Sequence, residues 1–119
     1  GLAVLLITHD LASARFLVAR IVVLYRGRVV EDGPTEAVVG SPAHPYTRAL
    51  LASIAELGPG VASPAGRTST APSGRGCPFA DRCPDRHELC LVEDPAPRDH
   101  DSRRVRCHLY PATPQTARP

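Results

Sequence analysis

Apolar positions along the chain fall into separated groups, each with its own period. Residues 2–7 are an unbroken aliphatic run, Leu2-Ala3-Val4-Leu5-Leu6-Ile7. Its length and branched composition predict a buried strand. Thr8-His9-Asp10 follows as a turn, with Asp10 placed to cap a helix. Leu11, Ala14, Leu17 and Val18 then recur at helical spacing. Ile21 to Tyr25 and Val29 to Glu31 predict two short strands, joined by a tight turn at Arg26-Gly27-Arg28. Gly33-Pro34 ends the pair and starts a short helix through Val39. Pro45 opens another helix, in which Tyr46, Leu50, Leu51 and Ile54 share one face, and Gly58-Pro59-Gly60 stops it.

The pattern changes after that helix. Residues 1–56 read as folded α/β material. Residues 57–75 are dominated by Gly, Pro, Ser, Thr and Ala, a composition that buries no core and predicts a mobile linker. Residues 76–110 carry all four cysteines but little continuous apolar pattern, so a staple is expected to hold them. Residues 111–119 read as a polar, Pro-rich, disordered tail. The sequence contains no Met, and its first residues run straight into the apolar stretch. This reads as a piece cut from within a larger domain. The run 2–7 is far shorter than the roughly 20 residues of a membrane span, and it lacks the basic start of a signal peptide. The expected setting is therefore cytosolic.

Net charge is only +2, and all 14 basic residues are Arg. Seven of them (Arg75, Arg82, Arg86, Arg98, Arg103, Arg104, Arg106) surround the cysteines. Asp81, Asp85, Glu88, Glu93, Asp94, Asp99 and Asp101 match them one for one, and aromatics for stacking are few. That is not the footprint of a nucleic-acid binder.

A strand ending at Thr8-His9-Asp10 places an imidazole at the carboxyl edge of a sheet, where α/β proteins bind ligands. Taken alone, the tripeptide favours the plainer reading, in which His9 merely caps the helix. Its surroundings carry more. Residues 5–11 (Leu-Leu-Ile-Thr-His-Asp-Leu) and residues 20–34, ending Val29-Val30-Glu31-Asp32-Gly33-Pro34, resemble the end of an ABC-transporter nucleotide-binding domain. Residues 41–51, with His44-Pro45-Tyr46-Thr47, resemble a segment of the ATPases that drive peptide and nickel import.

The resemblance covers about residues 1–110. It implies a fold made of the C-terminal part of a P-loop nucleotide-binding domain, followed by a linker and a small irregular Cys-rich metal-binding module. It implies that His9 is the switch histidine, contacting the γ-phosphate of ATP and helping to position the attacking water. ATP and Mg²⁺ belong to the intact protein, because no G-x-x-x-x-G-K-[ST] phosphate loop occurs in these residues. The chain alone is therefore expected not to hydrolyse ATP. The implied partners are a second ATPase subunit, membrane permeases and, indirectly, an extracytoplasmic solute-binding protein. The implied place is the inner face of the cell membrane.

The cysteine spacing is Cys77-x5-Cys83-x6-Cys90-x16-Cys107. It is neither the paired spacing of common zinc sites nor the ferredoxin run. Spacing alone allows four thiolates to converge on a metal, and it also allows free thiols or two disulfides. The Arg-rich surroundings are expected to favour the thiolate. Gly76 to Pro84 and Val105-Arg106-Cys107 resemble the C-terminal cysteine motif of peptide-importer ATPases. That resemblance implies a [4Fe-4S] cluster on Cys77, Cys83, Cys90 and Cys107, with zinc as the runner-up. His87 and His108 are candidate substitute ligands, each expected on the surface. A reading of a different class makes residues 76–110 a stand-alone Cys₄ iron–sulfur or zinc module for sensing or protein contact.

Overall fold

The structure, a computed structural model, describes residues 1–57 and 74–111. The expected linker 57–75 and tail 111–119 lie outside these residues except at their ends. Nine elements occur among the described residues, in the order α1 (Leu11–Ala14), β1 (Arg20–Tyr25), β2 (Arg28–Pro34), α2 (Thr35–Gly40), α3 (Pro45–Leu57), a 3₁₀ turn (Ala80–Arg82), α4 (Glu88–Val92), β3 (Arg98–His100) and β4 (Arg103–Val105).

The hairpin of β1 and β2 follows from alternation. Ile21, Val23 and Tyr25 are buried, while Val22 and Leu24 face outward. Its two-residue turn puts both Arg26 (φ 48°) and Gly27 (φ 77°) in the left-handed region. This is the mirror-image turn whose twist suits a hairpin. A register shift between Val23 and Leu24 then lets Val30 and Glu31 both become buried on β2. Thr35 fastens α2 to the hairpin by donating its hydroxyl to the Val18 carbonyl at 2.7 Å.

The sheet has four strands in the order β1-β2-β4-β3, all antiparallel. Glu31 pairs with Val105 and Asp32 with Arg104. The Cys-rich region is thus not held by a staple alone, because β4 is hydrogen-bonded to β2. A weak apolar pattern hid this, since β3 and β4 are three residues each and mostly charged. The main core is Leu11, Ile21, Val23, Tyr25, Val30, Val38 and Phe79. Tyr46, Leu50, Leu51 and Ile54 of α3 pack on it as the helical spacing predicted.

The N-terminal run departs from expectation. Residues 2–7 form no strand and are exposed throughout. A strand needs a neighbour to take its amide hydrogen bonds, and none pairs with it among the described residues. The helix after it is also cut short. Asp10 caps α1 as predicted, accepting from the Ser13 amide at 3.1 Å. Leu11 and Ala14 are buried, but Leu17 lies beyond the helix and is exposed.

Candidate functional site

Four local devices bring the cysteines to one place. Gly76 lets the chain run against α4. A Cβ there would sit 2.5 Å from the Cys90 carbonyl oxygen, so only glycine permits the approach. The Cys77 amide then donates to that same carbonyl at 2.8 Å, tying the first cysteine to the third. The 3₁₀ turn begins with the Ala80 amide on the Cys77 carbonyl at 3.0 Å and delivers Cys83 at its end. Cys107 follows β4 directly, and the Arg106 amide before it is pinned to the Val30 carbonyl at 2.9 Å.

All four cysteines are free thiols, with Cys90 and Cys107 buried and Cys77 and Cys83 half-buried. Together with His44, Phe79, Asp85 and His108 they line one small, tightly packed pocket, partly open to solvent. Among the described residues, no group of three or more His, Cys, Asp or Glu side chains is arranged to hold a metal ion.

The electrostatics differ from the sequence expectation. Burial pushes the Cys107 thiol up to about 11 and raises Cys77 and Cys83 as well, with the neighbouring cysteines adding to each shift. Desolvation outweighs the Arg-rich composition because the guanidinium groups turn to other partners. Arg103 donates to Glu31 at 3.0 Å, and Arg98 to the Tyr110 carbonyl at 2.8 Å. Arg106 pairs with Asp94 at 3.5 Å, and Arg82 reaches the Tyr25 hydroxyl.

The candidate histidines separate. His9 is exposed in the N-terminal run, and it does not line the cysteine cavity. His87 is exposed, as expected. His108 is half-buried, and its Nε2–H donates to the Glu93 carbonyl at 2.8 Å.

Sequence reasoning assigned no role to the network behind the cavity. Glu31 is fully buried and accepts three bonds: from the Ala43 amide (2.9 Å), the His44 amide (3.0 Å) and Arg103 Nη1 (3.0 Å). Arg103 Nη1 also donates to the Ala37 carbonyl at 2.9 Å and to the Ser41 carbonyl. His44 is 1% exposed, and its Nδ1 accepts from the Tyr46 amide at 3.0 Å, capping α3 from within. Phe79 then stacks among Tyr25, Tyr46 and His44, with ring centroids 5.3, 5.6 and 5.9 Å away. The visible signal was the His44-Pro45-Tyr46 segment. What it does not reveal is the carboxylate and guanidinium that meet across a separation of 72 residues.

Comparison with known proteins bears on the same segment. Residues 30–90 match the family model described as oligopeptide/dipeptide transporter, C-terminal region. That span holds the His44 segment and three of the four cysteines. The chain is 42% identical over 113 residues to a putative peptide import ATP-binding protein of Brucella abortus, covering 92% of this chain and 34% of that protein. It is 37% identical to the dipeptide transport ATP-binding protein DppD of Escherichia coli, covering 93% of this chain and 35% of that one. It is 36% identical to the oligopeptide transport ATP-binding protein AppD of Bacillus subtilis, covering 91% and 34%. The chain thus spans about a third of the length of these relatives. Among the described residues, no helix is long and apolar enough to cross a membrane.

Proposed function

Because the chain belongs to the oligopeptide/dipeptide transporter C-terminal region family, we propose that it is the C-terminal part of an ATP-binding subunit that powers peptide import. The observation that carries this reading is the family match over residues 30–90, and the named relatives are ATP-binding proteins of peptide, dipeptide and oligopeptide transport. In this reading ATP and Mg²⁺ are held by the part of the protein that corresponds to the other two thirds of those relatives. His9 contributes the group that touches the γ-phosphate and orients the attacking water. The intact subunit pairs with a second ATPase subunit and docks on membrane permeases from the cytoplasmic side. An extracytoplasmic binding protein delivers the peptide.

The test is to join this chain to the nucleotide-binding portion of DppD and measure ATP turnover. The chimera is expected to hydrolyse ATP and the 119-residue chain is not. His9→Ala in the chimera is expected to lower turnover far more than nucleotide binding, since the imidazole acts on the transition state. Normal turnover in that variant removes His9 from the mechanism.

We further propose that Cys77, Cys83, Cys90 and Cys107 hold a [4Fe-4S] cluster, which would supply one-electron redox chemistry or a structural staple. One observation supports a shared site: the four thiols line one pocket. The choice of a cluster over zinc rests on the resemblance of the residues around Cys77, Cys83 and Cys107 to the cysteine motif of peptide-importer ATPases, since four thiolates serve either metal. Binding any metal here must also release protons from the burial-raised thiols. Protein purified without oxygen is expected to be brown, with about four iron and four sulfide per chain. Stoichiometric zinc without iron would replace the cluster with the runner-up metal. The pairing of β4 with β2 favours a site built into the subunit over a stand-alone sensing module.

A further inference from the structure

We propose that His108 is a positioning residue for the four-cysteine site, its ring clamping Cys107 to the end of the helix that carries Cys90. This rests on the reading of the four cysteines as one ligand site.

The helix α4 is the hub of the pocket. It carries Cys90, and the Glu93 amide closes its last turn on the Leu89 carbonyl at 2.9 Å. Cys77 is tied to it directly, through the amide given to the Cys90 carbonyl at 2.8 Å, and the 3₁₀ turn links Cys83 to Cys77. Cys107 arrives from another part of the fold. It follows the end of β4 at Val105, and it belongs with Ala43, Val105 and Tyr110 to a small core cluster separate from the main one. Its two neighbours in the chain are what reach α4. On one side, His108 Nε2–H donates to the Glu93 carbonyl at 2.8 Å. On the other, Arg106 Nη1 lies 3.5 Å from the Asp94 carboxylate. Cys107 thus sits between two grips on adjacent residues at the end of the Cys90 helix.

The two grips differ in what they fix. Asp94 is shared between Arg106 and Arg28, and an ion pair 3.5 Å long tolerates several arrangements of a flexible side chain. The His108 bond is short and directional, and it leaves from a planar ring. A carbonyl oxygen only accepts, so Nε2 carries the proton. Nδ1 is buried and has no hydrogen-bond partner among the described residues. Moving the proton to Nδ1 would break the bond to Glu93 and bury a donor without an acceptor. Both nitrogens therefore select the same tautomer and the same ring orientation. That ring also lines the pocket with all four cysteines, so its placement and that of Cys107 are set together.

Two amide replacements test the bond. His108→Gln places an N–H where Nε2 sits and keeps the grip on Glu93. His108→Asn is too short to reach it. The first readout is alkylation of each cysteine by iodoacetamide in the metal-free 119-residue chain, resolved by peptide mass. His108→Asn is expected to speed alkylation of Cys107 about fivefold, the effect of losing about one hydrogen bond. Cys77, Cys83 and Cys90 should stay near wild type in the same molecules, because α4 keeps its own bonds. His108→Gln should leave all four near wild type. The second readout is the thiolate-to-cobalt absorption band with Co²⁺ alone. It is expected to lose about a quarter of its intensity per cobalt in His108→Asn, one thiolate of the Cys₄ set, and to be retained in His108→Gln.

An unchanged rate at Cys107 in His108→Asn overturns the proposal. So does a rise at all four cysteines together, which would make His108 a general support of the fold. A cobalt band lost in His108→Gln as well would make the ring nitrogen itself a ligand, and that too overturns a positioning role. A measurement on the unmutated chain stands beside these: ¹⁵N spectra of His108 should show the neutral ring protonated on Nε2, and protonation on Nδ1 overturns the clamp whatever the variants do. If the wild-type chain binds no Co²⁺, the ligand-site reading fails, while the alkylation rates and the tautomer still decide the role of His108.

Discussion

At the residue scale, the carboxylate of Glu31 decides more than any single apolar side chain. It is fully buried, with two main-chain amides and Arg103 converging on it. Glu31→Ala strips three donors of their acceptor and leaves a guanidinium that is 6% exposed without its counter-charge. Breaking a buried pair from one side costs about 3–5 kcal/mol. Arg103→Met should cost less, because Glu31 keeps two amide donors and a linear apolar chain fills the space. Urea titration of the two variants checks the order, and an equal or reversed order contradicts it. His44 adds a pH dependence at the same place. Its folded value is about 4, against 6.5 for the free side chain, because of burial. Between those values the unfolded chain binds a proton that the native chain refuses. Stability from His44 is therefore complete above pH 6.5 and is lost as pH falls toward 4, by on the order of 3 kcal/mol at most. The urea midpoint should drop over this window, and His44→Gln should flatten the slope. An unchanged slope would mean that His44 is solvated.

At the scale of elements, what was legible followed from local rules, and what was not followed from pairing. The β1–β2 hairpin could be read because alternation, a glycine turn and Gly33-Pro34 all agree. The α3 helix could be read because its apolar stripe begins at a proline. The strand expected at residues 2–7 and the pairing of β4 with β2 depend on which neighbour is present, and composition does not encode that. Arg103 to Val105 reads as a charged loop until Glu31 and Asp32 are placed beside it. Likewise, four cysteines could be counted and Arg residues located nearby, but burial of the thiols and the diversion of those Arg to other partners arise only when the chain is folded. The hairpin turn carries its own prediction. Arg26 holds φ 48°, a region that costs an ordinary residue roughly 1 kcal/mol and that asparagine tolerates. Arg26→Asn should therefore raise stability by about 1 kcal/mol, seen as a higher urea midpoint at unchanged slope. A fall in the midpoint would mean that the contact of Arg26 with the Tyr25 ring, 5.5 Å from its centroid, matters more than the turn.

At the scale of the whole molecule, the two edges of the sheet differ in kind. The β3 edge is three residues of Arg98-Asp99-His100, short and charged, which is how natural sheets discourage pairing with another chain. The β1 edge is six residues and carries Val22 and Leu24 outward at 46% and 57% exposure. Val29 on β2 and the aliphatic run at residues 2–7 are also exposed. Among the described residues neither this apolar edge nor this apolar segment has a strand partner, and such a combination is a template for strand addition. The 119-residue chain on its own is therefore expected to self-associate. The driving surface is aliphatic, so sulfate should strengthen the association, whereas sodium chloride at moderate strength should not abolish it by screening. Leu24→Lys puts a charge on the outward face of the edge strand and leaves Ile21, Val23 and Tyr25 in the core. It should lower the sedimentation-derived mass toward that of a monomer without lowering the unfolding midpoint. Joining the chain to the nucleotide-binding portion of DppD should do the same by covering the edge. A wild-type chain that stays monomeric across the accessible concentration range would show that this edge attracts nothing, and would remove the physical reason for expecting the remainder of the subunit to pack there.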